Sequence, residues 1–590
     1  VTRSGGWTLR LEVAAYLVIF LAAAGVRLTD LGWPPLSDAE ARHALAASAL
    51  VGRPAAFDPA PGTPPPGVSY RVATALLFQL FGSGEATARV VPALAGVALC
   101  MLPLLARRRL GAGGALALSG LLSFSPELVT VSRQAGPTSL AILGLVGFVI
   151  ILVGQETPAA GDRRSTLAIV FAALALTSGS EWIQGVVGLM LGTGLLALWR
   201  GRQRTGGPVS AGLSFTRRQM VIGLLTVIGI STAVGLYPRG ASDPFEAIAA
   251  WLTRWSGPAV MPILSEILVV PAYEPILFIF GLIGTVLAFR RKDQLGVVAA
   301  FWAVGALFLA AIYPGRTGLD LAWVVVPAAY LASCGAISAI EWMMTDRAWY
   351  RLGGMMAAYI ALAAFIYLQA AAYASDLTLD LPPLEPTVRL VILLIGLLIW
   401  AVLFILFGTG WSWAAAGGAL AAAIFSILSA VSIASIARLN FGSSAAEGGH
   451  LWKPTTSAVG LQELDSTLGL LSRAYREDPG GLTISLSGSA PPSLAWTIRG
   501  FDEAPASATD LAPPVVLAPS DTQPALHADY LGQLLAIAET NDWDGAFPPD
   551  VVSWWLLRRA PIRLDDWLLL VRADVATQGG LTALGSETNP

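Results

Sequence analysis

The chain has 590 residues, of which 55% are hydrophobic and only 13% charged, and its net charge is −3. Soluble domains carry about 25% charged residues, so this composition excludes an ordinary soluble enzyme, and the weak charge leaves no footprint for nucleic acid. The two cysteines, Cys100 and Cys334, both fall in apolar stretches, which excludes a disulfide framework or a cysteine-based metal site.

The first apolar run, residues 11–26, follows Arg3 and Arg10 and has no clear cleavage site after it, so it reads as a retained first helix. A template of about 20 residues then gives about thirteen membrane spans. Their centres lie near Ile19, Ala98, Leu121, Leu145, Ala172, Leu191, Ile228, Ile283, Leu307, Ala329, Ala361, Leu397 and Ala423. The third is interrupted near Pro126, and the last two are separated only by the short link at 408–410. Arginine-rich connections alternate with poor ones. Arg107 to Arg109, Arg163 and Arg164, the cluster from Arg200 to Arg218, Arg290 and Arg291 with Lys292, and Arg347 with Arg351 all fall on the side of the N-terminus. By the positive-inside rule that side is cytoplasmic. An odd number of spans then places the C-terminus outside the cell membrane.

Three outer segments follow. Residues 28–85 hold a helix over 38–51, a proline-rich stretch over 54–67 and a short apolar helix over 73–81 that lies in the interface. Residues 238–273 carry Phe245, Trp251, Arg254 and Trp255 at helical spacing, which sets aromatic rings at headgroup depth. From residue 438 to 590 the character changes. A helical pattern over 461–475 and alternation over 482–486 are followed by apolar runs at 514–517 and 567–571 and a helical stretch over 550–559. Strands alternating with helices over this length give a small extracytoplasmic α/β domain. The fold class is therefore a polytopic α-helical membrane protein, with a transmembrane domain over 1–437 and an α/β domain over 438–590.

The chemistry concentrates just after the first span, at Ser37, Asp38 and Glu40. Ser37-x-x-Glu40 is a capping-box pattern, and Asp38 favours the helix dipole, so both acids have a structural reading. They also have a chemical one. A transferase that takes sugar from a lipid phosphate needs a carboxylate at the membrane surface to remove the acceptor's proton. It also needs positive charge or a metal to stabilise the departing phosphate.

The run Leu36-Ser37-Asp38-Ala39-Glu40-Ala41-Arg42-His43-Ala44 resembles the P-L-x-x-D-E-A-x-x-A signature of the dolichyl-phosphate-mannose protein mannosyltransferase superfamily, the GT-C glycosyltransferases of the family 39 type. The run from Leu80 to Arg89 is similar to the next segment of that family, and Ser125, Pro126, Ser132 and Arg133 resemble its following loop. Residues 493–501 with Trp554 and Trp555 resemble a branch described as flippase-activity-associated membrane proteins.

The resemblance implies a GT-C-like bundle and inverting transfer of a hexosyl-type sugar from a polyprenyl-phosphate donor to an extracytoplasmic acceptor, protein or glycan. Asp38 is then the base, with Glu40 supporting it or holding a divalent metal ion, and Arg133 near the phosphate. Arg71, His43 and Glu181 join Arg133 as substrate-binding candidates. Against these stand plainer readings: snorkelling for Arg133 and Arg71, and a structural role for His43, one of only three histidines. The sequence departs from the signature in three places. Ala39 splits the adjacent Asp-Glu pair, no acid follows Arg133 in the run from Gln134 to Pro137, and no lysine stands among Thr177 to Glu181. A second reading is therefore a catalytically degenerate scaffold that binds lipid-linked glycan or partners another membrane protein. A transporter would need repeated halves with acids at the midplane, and no internal repeat is evident.

Overall fold

The computed structural model describes residues 4–52, 67–153, 163–203, 216–257, 263–343, 349–378, 384–442, 445, 450–453, 455–476, 480–503, 512–524, 526–542, 554–556 and 561–579. The proline-rich stretch over 54–66 and most of the helical stretch over 550–559 lie outside these residues.

The bundle runs α1 (Ser4–Leu28), α2 (Asp38–Ala49), α3 (Val68–Phe81), α4 (Glu85–Met101), α5 (Arg107–Ser123), α6 (Pro126–Arg133), α7 (Thr138–Val153), α8 (Arg163–Leu176), α9 (Glu181–Gln203) and α10 (Arg217–Ser231). It continues with α11 (Asp243–Thr253), α12 (Ile263–Tyr273), α13 (Pro275–Arg291), α14 (Gln294–Ile312), α15 (Ala322–Met343), α16 (Trp349–Thr378), α17 (Leu384–Gly410) and α18 (Trp413–Asn440). Each of the thirteen expected centres falls inside one of these helices.

Among the described residues, eight helical segments are long and apolar enough to cross a membrane. One of them, Glu85–Ser123, joins two expected spans through a kink at Gly111, whose φ of 74° interrupts the helix. The centres near Leu145, Ala172, Ile228 and Ile283 fall on α7, α8, α10 and α13, which have 16, 14, 15 and 17 residues. A rise of 1.5 Å per residue makes these described lengths shorter than the hydrocarbon thickness, so thirteen full crossings are not all represented among the described residues. The chain does break at Pro126, where α6 starts with proline in its first turn.

Close helix contact depends on glycine. A Cβ on Gly284 of α13 would stand 1.9 Å from the backbone oxygen of Leu331 in α15, and one on Gly144 of α7 would stand 2.6 Å from Ala175 N of α8. Small residues let membrane helices approach backbone to backbone. The short α3 buries Tyr70, Thr74 and Phe78 and exposes Leu76, Leu80 and Phe81 on its other face, the division expected of an interfacial helix.

Beyond Asn440, three residues later than the boundary read from sequence, the chain forms β1 (Thr455–Ser457), α19 (Gly460–Arg476), β2 (Thr483–Leu486), α20 (Pro492–Ile498), β3 (Asp502–Glu503), β4 (Val515–Pro519), β5 (Tyr530–Asn541), β6 (Ile562–Arg572) and α21 (Ala573–Gln578). The strands make one mixed sheet in the order β1-β5-β6-β4-β2-β3. The β4–β2 and β2–β3 pairs are parallel and the others antiparallel. Leu461, Leu464, Leu468 and Leu471 recur at helical spacing on α19 and are buried against Ile484, Leu517, Ile537 and Leu569 of the sheet. The domain's own core is thus separate from the membrane core, but Trp452, Ala495, Trp496 and Trp554 belong to the latter. Trp496 on α20 packs against Phe78 of α3, Trp554 against Tyr273 of α12, and Trp452 lies against Gly318 before α15.

Candidate functional site

The site forms where α2 starts. Ser37 precedes the helix in extended conformation, and Glu40 three residues on accepts hydrogen bonds from the Ser37 backbone N–H at 3.1 Å and hydroxyl at 3.0 Å. The same carboxylate takes Arg89 Nε on Oε1 at 2.8 Å and Nη2 on Oε2 at 3.0 Å, and Ala135 N–H at 3.0 Å. Glu40 is 5% exposed. Burial alone would raise its pKa, but the charge and hydrogen bonds of Arg89 outweigh that and hold it at about 2. Five donors on two oxygens leave Glu40 no capacity for a substrate proton or a metal. Its role is to fasten α2 to α4 and to the chain after α6.

Asp38 is half-buried at the first position of α2. Its Oδ1 accepts the backbone N–H of Ser493 at 3.0 Å. That N–H belongs to the first turn of α20, where backbone donors lack partners within the helix. The segment that the sequence marked at 493–501 is therefore the part of the α/β domain that meets α2. Trp496 packs on Phe78 of α3 with ring centroids 5.9 Å apart, and Arg499 lies over the Trp496 ring at 3.6 Å and donates to Ser83 O at 2.8 Å.

Asp38 also lines a cleft of about 370 Å³, open to solvent, between the bundle and the start of the α/β domain. Its walls include Ser37, Ala39, Arg42 and Gln134 from the bundle, Thr317 to Leu319 before α15, and Trp452, Lys453 and Thr455 to Ser457 from the α/β side. The cleft joins an acid, two cations and several hydroxyls at one mouth. No motif or periodicity in the sequence points to Lys453 or to this second wall.

The other expected site residues lie elsewhere. Arg133 ends α6 and is 5% exposed. Its Nη1 donates to Val26 O at 3.0 Å and Thr29 O at 2.6 Å, its Nη2 to Asp30 O at 3.0 Å and Asn440 O at 3.3 Å, and it lies 4.4 Å over the Phe441 ring. It therefore closes the C-terminal ends of α1 and α18, where a cation complements the helix dipole, and neither snorkels nor faces the cleft. Arg71 forms an ion pair with Asp243 at the start of α11 and lies 4.8 Å over the Tyr237 ring, which ties the first expected outer segment to the second. Glu181 starts α9. Its backbone oxygen accepts Trp323 Nε1 at 3.1 Å, and its Oε2 is buried without a partner.

His43 lies one turn along α2 from Ala39, with a buried, unpartnered Nδ1. Burial, then the positive charge of Arg42, push its pKa down to about 4, so it is neutral at pH 7. Among the described residues no three His, Cys, Asp or Glu side chains stand close enough to hold a metal ion. With Glu40 saturated and Asp38 Oδ1 bonded to Ser493, the donor set among the described residues does not fit a divalent metal.

No family model and no curated protein matches the chain. Solved structures do. ArnT from Cupriavidus metallidurans bound to undecaprenyl phosphate superposes with a TM-score of 0.51 at 15% identity, over 97% of this chain and 99% of that one. The apo form of the same protein gives 0.51 at 16% identity over the same shares. The Archaeoglobus fulgidus oligosaccharyltransferase in its apo form gives 0.42 at 12% identity, over 86% and 69%. Likeness to ArnT along nearly the whole of both chains shows that this chain shares the fold of that protein, and its apolar helices are those of a multi-pass membrane protein.

Proposed function

We propose that the protein transfers a sugar from a polyprenyl-phosphate donor to an extracytoplasmic acceptor, with Asp38 as general base. The N-terminus of α1 is then cytoplasmic and the α/β domain external. The observation that carries this reading is the cleft at the start of α2 in a GT-C fold, with Asp38 on its wall and the cations Arg42 and Lys453 around it. The Asp38 carboxylate takes the proton of the acceptor hydroxyl as that oxygen attacks the anomeric carbon. The anomeric C–O bond to phosphate breaks, the electron pair leaves with the polyprenyl phosphate, and the anomeric centre inverts. A positioned base contributes about 10²–10⁴-fold to such a step. Structural likeness to an undecaprenyl-phosphate-bound protein supports a lipid-linked donor.

A second reading has its own observation. Ala39 occupies the position at which the family signature carries its aspartate, and Asp38, about 100° round the helix, gives one oxygen to Ser493. On that reading the chain is a non-catalytic scaffold. The protein reconstituted in lipid with a radiolabelled polyprenyl-phosphate sugar separates the two. The transferase releases polyprenyl phosphate and Asp38→Asn loses at least a hundredfold in rate. Wild type and Asp38→Asn behaving alike would leave the scaffold.

A further inference from the structure

The alternation at 482–486 puts Leu482 and Ile484 in the core beneath α19, α20 and α21, and Ser485 on the opposite face of the sheet. The Ser487 N–H donates to Leu517 O at 2.9 Å, which carries the β2–β4 ladder one residue further and brings the Ser487 side chain to the same face as Ser485. There the two serines line a pocket of about 190 Å³. Val516, opposite Ser485 in β4, gives it an apolar floor, and Leu526 and His527 from the segment before β5 close one side. Because α20, which meets Asp38, packs on the other face, the sheet stands between this pocket and the cleft.

The rim of the pocket is fixed. The Tyr530 hydroxyl donates to Pro513 O at 2.7 Å, the Arg572 N–H to Pro514 O at 3.0 Å, and the Arg572 guanidinium to Ala512 O. The polar groups inside are left free by this framework. Neither the Ser485 and Ser487 hydroxyls nor the His527 ring forms a hydrogen bond among the described residues.

These contents select a class of ligand. No Asp, Glu, Lys or Arg is among the described residues that line the pocket, so nothing there offsets the desolvation of an ionic ligand. An alkyl ligand would strand two hydroxyls and an imidazole. Pro513, Leu526 and the Tyr530 ring supply apolar surface, and Leu526 is 40% exposed. Hydroxyls that can each donate and accept, beside an aromatic and aliphatic wall, suit a ring whose edge carries hydroxyls and whose face carries C–H groups. The volume lies below the about 300–1,000 Å³ of sites that enclose a drug-sized molecule, so it takes one ring and not an oligomer.

We propose that Ser485, Ser487 and His527 form a saccharide pocket on the face of the α/β sheet opposite α20, which holds one uncharged sugar ring of a glycan away from the reacting centre. The identity of that glycan as the acceptor rests on the transferase reading of the cleft; the pocket itself does not.

The test reads binding by the full-length protein in nanodiscs, apart from turnover. Saturation-transfer NMR is run with the methyl glycosides of glucose, galactose, mannose and N-acetylglucosamine at millimolar concentration. Glucuronate is the charged control, and an uncharged peptide containing serine and threonine is the alternative ligand. The expected result is saturable binding of at least one glycoside, weakened about fivefold by Ser485→Ala, which is the loss of one hydrogen bond of about 1 kcal/mol. His527→Ala, at an exposed position, should repeat that loss without disturbing the sheet. Asp38→Asn should bind as wild type does. Failure of every glycoside to bind, or binding that Ser485→Ala and His527→Ala leave unchanged, overturns the pocket even if the wild type turns over donor. Preference for glucuronate or for the peptide overturns it too. Glycoside binding that follows the variants in a protein without turnover upholds the pocket and removes the transferase.

Discussion

Replacing Glu40 by glutamine decides whether that acid holds the fold or does chemistry. The carboxylate is buried, and its pKa falls from an ordinary 4.5 to about 2. At about 1.4 kcal/mol per pH unit, that fall is worth roughly 3 kcal/mol of folding stability. Glutamine keeps an acceptor for Ser37 but leaves the Arg89 guanidinium, 3% exposed, without its charge partner. Breaking a buried pair from one side costs about 3–5 kcal/mol, so the two routes agree. The assay is reversible unfolding in mixed SDS–lipid micelles, with Arg89→Met and the double variant completing a cycle. The double variant should recover part of the loss, since it removes the stranded charge. A group whose pKa is lowered on folding stabilises fully above its unfolded value and loses that contribution as pH falls through the folded one. Wild type should therefore lose more stability between about pH 4.5 and pH 2 than Glu40→Gln, which retains only the contribution of other carboxylates such as Asp574. A cost below about 1 kcal/mol, with turnover abolished, would refute the structural role and return Glu40 to the chemistry.

Arg133→Met should lower stability by about 3 kcal/mol, because several buried carbonyls lose a charged donor, while undecaprenyl phosphate binding in nanodiscs stays unchanged; a selective loss of binding would restore Arg133 to the site. Gly284→Ala forces α13 and α15 apart and should cost about 1–3 kcal/mol. Gly353→Ala, where an added Cβ meets nothing within 4 Å, should be neutral or slightly stabilising. Thermal scanning of the two purified variants checks the contrast, and equal melting points would refute the packing argument.

Local signals were legible where the physics is local. The capping pattern at Ser37 and Glu40 located the start of α2, the leucine spacing located α19, and apolar runs located the membrane helices. Span count was less legible because hydropathy reports burial in protein and burial in lipid alike. Residues of α7 such as Ala141 and Ile142 are as apolar as those of α17, yet they are buried within the protein, whereas only 6% of the most apolar window of α17 is. The site was half legible. Composition marks Asp38, but nothing near it in sequence announces Ser493, 455 residues away. The ion-pair partner of Glu40 lay in a run noticed only for its resemblance to a family segment. The cleft's second wall depends on how a separately folded domain docks, which no periodicity encodes.

The hydrogen bond from Ser493 to Asp38 makes the α/β domain and the cleft thermodynamically reciprocal. Any species that competes for that carboxylate, whether proton, acceptor hydroxyl or cation, weakens the hold of α2 on α20. Whatever loosens α20 makes the carboxylate more available by the same factor. The seating of the α/β domain is therefore a readout of what occupies Asp38. A distance label spanning α2 and α20 would register ligands in the cleft whether or not any bond is made or broken there.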